Sequence, residues 1–188
     1  MATAAESAPP SSHGSARPEF VVRPAHPRDA VSFLEMWRTV VAERRFVRSD
    51  SARRSARYYR RRYFRRSWTT ERVSLVAVSG DRVVGHLTAD REEGPITRHV
   101  ASLGMAVAPD WRRRGVGAAL LAEVIRWARA VGVEKLALSV YPGNEAALRL
   151  YRTFGFQEEG RLTGHSKKSI GYLDEIVMGL WLIDRRQE

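Results

Sequence analysis

The sequence has no cysteine among its 188 residues. This absence excludes disulfide bonds, cysteine-ligated metal sites and a cysteine nucleophile together. Any acyl transfer carried out by this chain must therefore proceed without an acyl-cysteine intermediate, and we predict no metal cofactor.

Long apolar runs are also missing. No stretch approaches the roughly 18 consecutive apolar residues that a membrane-spanning helix needs, so we predict no membrane partner. The first 18 residues, MATAAESAPPSSHGSARP, lack the basic region and the continuous apolar segment of a secretory signal, and we expect a cytoplasmic protein. Because residues 1–18 are rich in Ala, Ser and Pro, we predict a disordered tail there and a single domain over 19–188.

Positive charge is concentrated in one segment. The chain has a formal net charge of +11, and residues 41–70 contain eleven arginines against two acidic residues, so this segment carries nine of the eleven excess charges. The remaining residues are nearly balanced. An argument about an acidic partner therefore concerns this segment and not the whole surface.

The alternation of apolar patterns predicts a mixed α/β domain with the element order β-α-α-β-β-β-α-β-α-β-β. Ser79-Gly80-Asp81-Arg82 predicts a hairpin between two strands. Ala52, Ala56, Tyr59 and Tyr63 form the apolar stripe of a basic helix over 51–66. The other predicted elements are strands over 19–24, 99–109, 134–141, 156–162 and 172–183 and helices over 27–43, 115–131 and 145–154.

The sequence PDWRRRGVGAALL, residues 109–121, places three arginines and two glycines between a predicted strand and a predicted helix. Free N–H groups and the helix dipole favour an anion at such a position. Gly115 and Gly117 allow phosphate oxygens to approach the backbone. The Walker pattern is absent, and Leu120 replaces the third glycine of the dinucleotide fingerprint. The turn therefore predicts a site for a diphosphate or a phosphorylated nucleotide of another kind.

This turn lies in LGMAVAPDWRRRGVGAALL, and NEAALRLYRTFGF follows about 30 residues later. Together the two stretches resemble the GCN5-related N-acetyltransferase (GNAT) superfamily over roughly residues 19–183. The resemblance implies a central, mixed, mostly antiparallel sheet of six to seven strands, splayed in the middle and flanked by about four helices. It implies acetyl-CoA as co-substrate and direct transfer of the acetyl group to a primary amine in a ternary complex.

The resemblance also implies roles for individual residues. The coenzyme arm would pair with the backbone of β-strand residues Met105, Ala106 and Val107, with a bulge in that strand opening the slot and the Val107 N–H polarising the thioester carbonyl. Asn144, which also fits a helix N-cap, would contact the arm. Tyr151 would protonate the departing thiolate. The diphosphate would be bound by residues of the turn, namely Arg112, Arg113, Arg114, Gly115, Val116, Gly117 and Ala118.

A general base is not assigned by the sequence. Ala101, Leu103 and Ser139 occupy positions where relatives carry a titratable base, and none of them can titrate usefully. Glu92, Glu93 and His99 are nearby in sequence, and loop or strand-end positions are the simpler interpretation of each.

The acceptor and the basic segment 44–66 leave several interpretations open. The arginines could form a solvated face, could steer an acidic acceptor or the coenzyme, or could contact nucleic acid or the ribosome through interleaved aromatic residues. In the last case the alternative function is a nucleic-acid- or ribosome-associated protein with little or no catalysis. Small amines, amino acids, peptide N-termini, lysines and aminoglycosides all remain acceptors to consider. The interleaved aromatic residues are Tyr58, Tyr59, Tyr63 and Phe64.

The C-terminal part of the chain supplies two further expectations. We expect 159–175 to form a variable loop that is one wall of the acceptor site, where Asp174 and Glu175 could bind an ammonium group. The strand over 172–183 is apolar on both faces, which fits either burial in the core or a homodimer contact, and we predict core burial.

Overall fold

The computed structural model describes residues 19–47 and 52–184. The disorder predicted for residues 1–18 lies outside these residues. The order of strands and helices agrees with the sequence-based prediction. The described residues form β1 (Val21–Pro24), α1 (Ala30–Ala42), α2 (Ala56–Tyr59), β2 (Arg72–Ser79), β3 (Arg82–Arg91), β4 (Val100–Val107), α3 (Val116–Ala130), β5 (Lys135–Val140), α4 (Glu145–Thr153), β6 (Gln157–Lys168) and β7 (Gly171–Trp181).

All seven strands form one sheet in the order β1-β2-β3-β4-β5-β7-β6. Strands β4 and β5 are parallel, and every other neighbouring pair is antiparallel. This sheet with its four helices confirms the predicted fold class. Ser79 pairs with Arg82 across a two-residue turn, as expected from the hairpin pattern.

The sheet splits between β4 and β5. Their parallel pairing covers only Val100–Ser102 against Lys135–Ala137, and beyond Ser102 the two strands diverge into a wedge. The predicted separation is therefore present, but the predicted cause is wrong. The register between β3 and β4 runs without a shift from Ala101 to Val107, so β4 contains no bulge there. The wedge arises because β5 turns away from β4 toward β7, with which it pairs along its whole length.

Apolar side chains pack on both faces of the sheet. On one face, α3 and α4 bury Leu120, Val124 and Trp127 against the strands. On the other face, α1 and α2 bury a second cluster that includes Phe33 and Phe64. Each fully buried side chain of this size contributes on the order of 2 kcal/mol through removal of apolar surface from water. The two layers fix the wedge between them.

The basic helix is shorter than predicted and its register differs. Helix α2 ends at Tyr59 and continues as a single π-helical turn over Arg60–Phe64. This turn places residues five apart on one side, so Tyr59 and Phe64 are buried and Tyr63 is only partly buried. The predicted apolar stripe placed Tyr63, and not Phe64, on the buried side next to Tyr59. Residues 48–51 lie outside the described residues.

The segment 159–175 is not a loop, which corrects the expectation from the sequence. It belongs to a long hairpin in which β6 and β7 pair from Gln157 to Gly179, with two register irregularities. Because β7 lies between β5 and β6, Ile176 and Met178 are buried in the core. Burial of this strand therefore explains its apolar faces, and the homodimer contact stays a prediction.

Candidate functional site

A cavity of about 630 Å³ opens at the wedge between β4 and β5. It begins at the loop between β4 and α3, passes between the two strands and extends under α1 and α2. Residues from eight of the eleven elements line it, which makes the cavity a property of the assembled fold. A volume of this size is typical of sites that bury a drug-sized ligand.

The loop before α3 has the backbone geometry of an anion site. Arg113 and Gly115 both adopt the left-handed conformation, with φ angles of 61° and 81°. After Arg112, the next backbone amide that meets a backbone carbonyl among the described residues is that of Ala119, which donates to Gly115 at 3.0 Å. The intervening amides precede or begin helix α3, where the helix dipole also favours negative charge.

The side chains of this loop divide into two groups. Arg112, Arg113, Gly115, Gly117 and Ala118 line the cavity. Arg114 and Val116 do not: the Arg114 guanidinium lies over the Trp111 ring at 5.2 Å, and Val116 is fully buried in the core. The predicted turn residues therefore lie together. Arg114 and Val116, however, can contact a ligand in the cavity only through their backbone.

Arg112 connects the loop to α1. Its guanidinium donates to both carboxylate oxygens of Glu43, at 3.0 and 2.6 Å, and its Nε donates to the carbonyl oxygen of Val107 at 3.3 Å. Both Arg112 and Glu43 line the cavity. This ion pair neutralises Arg112 at the point where the loop meets the wedge.

Gly117 packs closely against α4 beside the slot. A Cβ atom at this position would approach Leu150 Cδ2 to 2.9 Å and Met105 Cε to 3.5 Å. Because Leu150 Cδ2 is the end of a flexible side chain, a larger residue here would shift the Leu150 side chain at the cavity wall.

The predicted slot residues border the wedge. Met105, Ala106 and Val107 line the cavity, and they lie beyond the last rung that joins β4 to β5. Their edge facing the wedge can therefore accept an additional extended chain, as in β-augmentation.

Asn144 and Tyr151 lie on α4, on the other side of the wedge. The Asn144 side chain caps the helix by accepting a hydrogen bond from the Ala147 amide at 3.3 Å, and it also lines the cavity. Tyr151 is buried against Phe156 and reaches the cavity. Burial raises the pKa of Tyr151 to about 12. Its hydroxyl therefore keeps its proton at neutral pH and can donate it.

Aromatic side chains form the wall of the cavity under α1 and α2, and we call this set the aromatic wall: Phe33, Trp37, Tyr59 and Tyr63. His86 faces the same space, with its ring centroid 4.6 Å from that of Phe33 and its Nε2 3.0 Å from Ser74 Oγ. Burial lowers the pKa of His86 to about 3. The imidazole is therefore neutral and adds no charge to this wall.

Glu175 lies at the β7 side of the cavity. Its neighbour Ile176 belongs to the core on the α3 face, so by strand alternation Glu175 points to the α1 face, like Ser139 and Tyr141. Ser166 donates a short hydrogen bond to its Oε1 atom, and Tyr141 Oη lies 3.2 Å from Ser166 Oγ. The carboxylate is 1% exposed and lines the cavity.

The candidate bases next to β4 in sequence do not line this cavity. His99 stacks on Trp181, and Glu92 and Glu93 lie in the segment between β3 and β4. Of the positions where relatives carry a base, Leu103 and Ser139 line the cavity and Ala101 is buried in the core.

The sequence indicates no site role for His86, Phe33 or Trp37. It indicates Tyr59 and Tyr63 only as possible stacking groups for nucleic acid, and Glu175 only as part of an acidic pair. The pairing of Thr88 with Gly104 and of His86 with Ala106 is what brings β3 to the cavity. Isolated polar residues within apolar strands, such as His86 in VVGHLTAD, were the available signal.

The described residues contain no group of three or more His, Asp or Glu side chains arranged to hold a metal ion. No helix within the described ranges has the length and apolar character needed to cross a membrane.

Comparison with known proteins decides the family. Residues 36–156 match the model of the acetyltransferase (GNAT) family. The chain belongs to this family. The GNAT match runs from the second half of α1 to the residue before β6 and so includes the wedge, the loop before α3 and Tyr151. The family predicted from the sequence is confirmed.

Named relatives of this GNAT protein act on different amines. It is 36% identical over 108 residues to the L-amino acid N-acetyltransferase AaaT of Escherichia coli, a match that covers 55% of this chain and 65% of the relative. It is 38% identical over 76 residues to the ribosomal protein bS18 alanine N-acetyltransferase of Salmonella typhimurium, covering 40% and 51%. The chain thus spans less than two thirds of the length of these relatives.

A solved structure is similar over nearly its full length. The ribosomal-protein-alanine N-acetyltransferase of Brucella melitensis superposes with a TM-score of 0.78 and 27% identity, covering 86% of this chain and 99% of that one. This similarity includes the segments outside the family match and confirms the GNAT architecture of the whole described domain.

Proposed function

We propose that this GNAT protein transfers an acetyl group from acetyl-CoA directly to a primary amine within a ternary complex. One observation carries the proposal: a single cavity joins the anion-binding loop before α3, the wedge beside Met105–Val107 and the hydroxyl-bearing Tyr151. An enzyme of this kind needs these three features in one continuous space, because the coenzyme must be bound while the amine reaches its acyl group.

The loop before α3 fits the phosphates of coenzyme A. Arg113 and Gly115 both have left-handed backbone geometry just before α3, and no atom lies within 4 Å of where a Cβ of Gly115 would be. A phosphate can therefore approach the backbone at the start of the helix. We propose that the backbone from Arg112 to Ala118, including Arg114 and Val116, binds the diphosphate. Arg113 adds positive charge from the cavity wall.

The wedge fits the extended arm of the coenzyme. The free edge at Met105, Ala106 and Val107 would pair with the amides of the arm, and Asn144 would contact the arm from α4. The Val107 N–H would donate to the oxyanion that forms during transfer.

The coenzyme supplies an acetyl thioester, and the protein supplies the proton for the leaving group. Tyr151 is the proposed donor, because its hydroxyl carries a proton at neutral pH and its helix faces the wedge. The absence of cysteine agrees with direct transfer to the amine. An alkylamine has a pKa of about 10.4 in water, so the acceptor must lose a proton before it attacks.

The test is turnover of acetyl-CoA with a panel of amines, monitored by release of the free thiol of CoA, together with calorimetry of CoA binding. We expect CoA to bind at moderate salt and at least one primary amine to accelerate thiol release. CoA binding without turnover of any amine would contradict catalysis, and no CoA binding would contradict the whole proposal.

A second candidate function, binding of single-stranded RNA, is favoured by one observation. Arg57, Arg60, Arg61 and Arg65 line an open cleft with Pro27, and none of the ion pairs among the described residues involves them. Exposed Tyr58 next to this cleft offers a stacking surface.

We expect oligouridine to bind with an affinity that falls as salt rises, with a logarithmic slope of about 0.7 per phosphate contact. The double variant Arg57→Ser/Arg61→Ser should bind more weakly, whereas Arg149→Ser/Arg152→Ser, which removes two exposed arginines from α4, should not. Equal affinity of both variants in fluorescence anisotropy would contradict this second function.

A further inference from the structure

We infer that the acceptor amine carries an aromatic or aliphatic body, and that this body binds in the space between Gly104 of β4 and the aromatic wall. We call this space the acceptor pocket. The inference rests on the proposed N-acetyltransferase function, since it names the substrate class of the same cavity. It is carried by an open space without charged side chains beside the slot.

The floor of the acceptor pocket is the α1 face of β3 and β4. Leu103 belongs to the core on the α3 face and Ala106 to the core cluster under α1, so strand alternation directs Gly104 toward α1 as well. Thr88 and His86 pair with Gly104 and Ala106 from the neighbouring strand, and all four residues of this face line the cavity.

Gly104 leaves a free volume above this floor. A Cβ atom at this position would have no heavy atom of the described residues within 4 Å. Gly85 of β3 differs, because a Cβ atom there would meet Val116 Cγ1 at 2.6 Å. Gly104 also lies outside the left-handed region of backbone conformation. Neither close packing nor a special φ angle therefore requires glycine at position 104, whereas room for a ligand does.

The aromatic wall forms the roof of the acceptor pocket. Phe33 and Trp37 stack with their ring centroids 6.1 Å apart, and the ring centroid of Tyr59 lies 4.9 Å from that of Phe33. Val40 and Phe46 continue this apolar surface along the cavity. Rings of this kind bind apolar groups over a large area and other aromatic rings with a preferred geometry.

The elements around the acceptor pocket contribute no charged side chain among the lining residues that the structure describes. The charged lining residues are Glu43, Arg112 and Arg113, at or facing the loop before α3, and Glu175 of β7. His86 is neutral because burial lowers its pKa to about 3. A polar body would lose its hydration in this pocket without gaining a charged partner, which is unfavourable.

The acceptor pocket adjoins the proposed slot for the coenzyme. Gly104 directly precedes Met105–Val107, the edge along which the arm of the coenzyme would pair. A ligand whose body lies between Gly104 and the aromatic wall can therefore place its amino group at the wedge, where the acyl group would lie. This arrangement brings the two reactants together in one continuous space.

The test compares three primary alkylamines, each with a pKa of about 10.4, that differ in their bodies: 3-phenylpropylamine, propylamine and 5-aminopentan-1-ol. Calorimetry with the full chain and CoA measures binding, and kcat/KM with acetyl-CoA measures transfer. We expect 3-phenylpropylamine to bind at least about ten-fold more tightly than the other two, because only its body removes a large apolar surface from water.

The matched variants are Gly104→Val and Gly160→Val. Gly160 is a strand glycine of β6 that, like Gly104, is exposed, lies outside the left-handed region and has open space at the Cβ position. We expect Gly104→Val to reduce the preference for 3-phenylpropylamine over propylamine by about ten-fold or more, because the new side chain fills the pocket. Gly160→Val should leave this preference unchanged. An effect on the coenzyme site would act on both amines alike and cancel in the ratio.

A second pair of variants tests the roof. Trp37→Leu removes part of the aromatic wall and should reduce the same preference about three- to ten-fold. Trp68→Leu is the control, because Trp68 is also half-buried but packs against Arg126 and does not line the cavity. It should leave the preference unchanged. Thermal unfolding of all four variants shows whether each is folded.

The outcomes separate this inference from the proposed function. Equal affinities of the three amines for the wild type, or an unchanged preference in Gly104→Val, would overturn the inference even if the enzyme acetylates small amines. The expected binding order without any acetyl transfer would support the acceptor pocket and contradict the proposed catalysis. If a variant fails to fold, the wild-type series still decides, because it needs no variant.

A longer acyl chain on the coenzyme is the other possible occupant of the acceptor pocket. A wild-type preference for hexanoyl-CoA over acetyl-CoA that is lost in Gly104→Val, with the amine preference unchanged, would assign the space to the acyl group and overturn the inference. A preference among the amines that Gly104→Val removes, with equal use of the two coenzymes by the wild type, would support it.

Discussion

At the scale of single residues, the cavity depends on groups whose protonation is set by burial. Tyr151 and His86 are both buried, and burial favours the neutral form of each: it raises the pKa of the tyrosine and lowers that of the histidine. The two shifts have different consequences. The raised pKa keeps a proton on Tyr151 for chemistry. The lowered pKa of His86 makes the free energy of unfolding depend on pH.

The first prediction concerns Tyr151. Replacement by phenylalanine should lower kcat about 100-fold through loss of the proton donor, with little change in CoA affinity. Tyr172→Phe, at a tyrosine exposed on the β6–β7 hairpin, is the control and should leave kcat unchanged. Because the pKa of Tyr151 is raised to about 12, we expect no loss of kcat from its ionisation up to about pH 10.5 in a pH–rate profile. A kcat for Tyr151→Phe equal to that of the wild type would remove the donor role.

The second prediction concerns His86. Its folded pKa of about 3 lies below its unfolded value of 6.5, so the unfolded state binds more protons as the pH falls below 6.5. The free energy of unfolding should therefore drop between pH 7 and pH 5, by about 2 kcal/mol from this residue alone, and continue to drop toward pH 3.

Urea unfolding at the two pH values measures this term. His86→Gln, which can keep a hydrogen bond to Ser74, should have the smaller pH dependence by about the same 2 kcal/mol. Other titrating groups affect both proteins alike and cancel in the comparison. Equal pH dependence of the two proteins would show that His86 is not held neutral.

At the scale of elements, the loop between β4 and α3 shows how a local sequence determines part of a site. The positive φ angle at Gly115 sets the direction of the amides that begin α3. Gly80, in the β2–β3 hairpin, has a φ angle of 56° and, like Gly115, has open space where a Cβ atom would lie. Gly80 is therefore a matched control for Gly115: both glycines have a positive φ angle and open space at the Cβ position, and they differ only in location.

The third prediction uses this pair. Gly115→Ala and Gly80→Ala should each cost about 1–2 kcal/mol of stability, because an L-residue is strained in the left-handed region. Only Gly115→Ala should also weaken CoA binding, by about five- to ten-fold, as its loop relaxes away from the strained geometry. Calorimetry with CoA and thermal unfolding measure the two effects. An equal CoA affinity of the two variants would argue against phosphate binding by this loop.

Much of the element order could be predicted from the sequence because its signals are local. The N-cap at Asn144, the hairpin at Gly80-Asp81 and the glycine after α4 each act within one turn of chain. The π-helical turn at Arg60–Phe64 could not, since it depends on burying Tyr59 and Phe64 together against the α1 face.

Of the site, too, only the part that depends on local sequence could be predicted. The loop before α3 is a contiguous sequence, so its residues could be identified together. Glu175 and His86 come from β7 and β3, which are distant in sequence, and only the strand order and register bring them to one cavity. Strands over 156–162 and 172–183 could be predicted, but their continuation through 163–171 could not, because the polar and mostly exposed residues over 159–168 have the composition of a loop.

At the scale of the whole molecule, Lys168 joins two distant parts of the chain across the cavity. Its ammonium group binds carbonyl oxygens of Arg45 and Val47, more than 120 residues earlier in sequence. The side chain of Val47 lines the cavity, as does that of Phe46 between the two acceptors. The β6–β7 hairpin thereby positions the segment that follows α1.

The fourth prediction follows. Lys168→Met keeps the apolar stem but leaves two carbonyl oxygens without this donor, which should cost about 1–3 kcal/mol of stability. The KM for the amine should rise several-fold, because Phe46 and Val47 line the cavity and their segment loses this donor. Lys167→Met is the control, because Lys167 is exposed and contacts only the Tyr172 ring among the described interactions. Identical KM values for the two variants would contradict this role.

The split between β4 and β5 also makes the two halves of the sheet depend on the core for their relative position. Three rungs, from Val100 to Ser102, are the hydrogen-bonded seam between a four-stranded half and a three-stranded half. Because this seam is short, the buried side chains under it, including Ala101 and Leu136, hold the angle at which the halves meet. We expect substitutions there to change the width of the wedge and with it the affinity for CoA, which calorimetry measures.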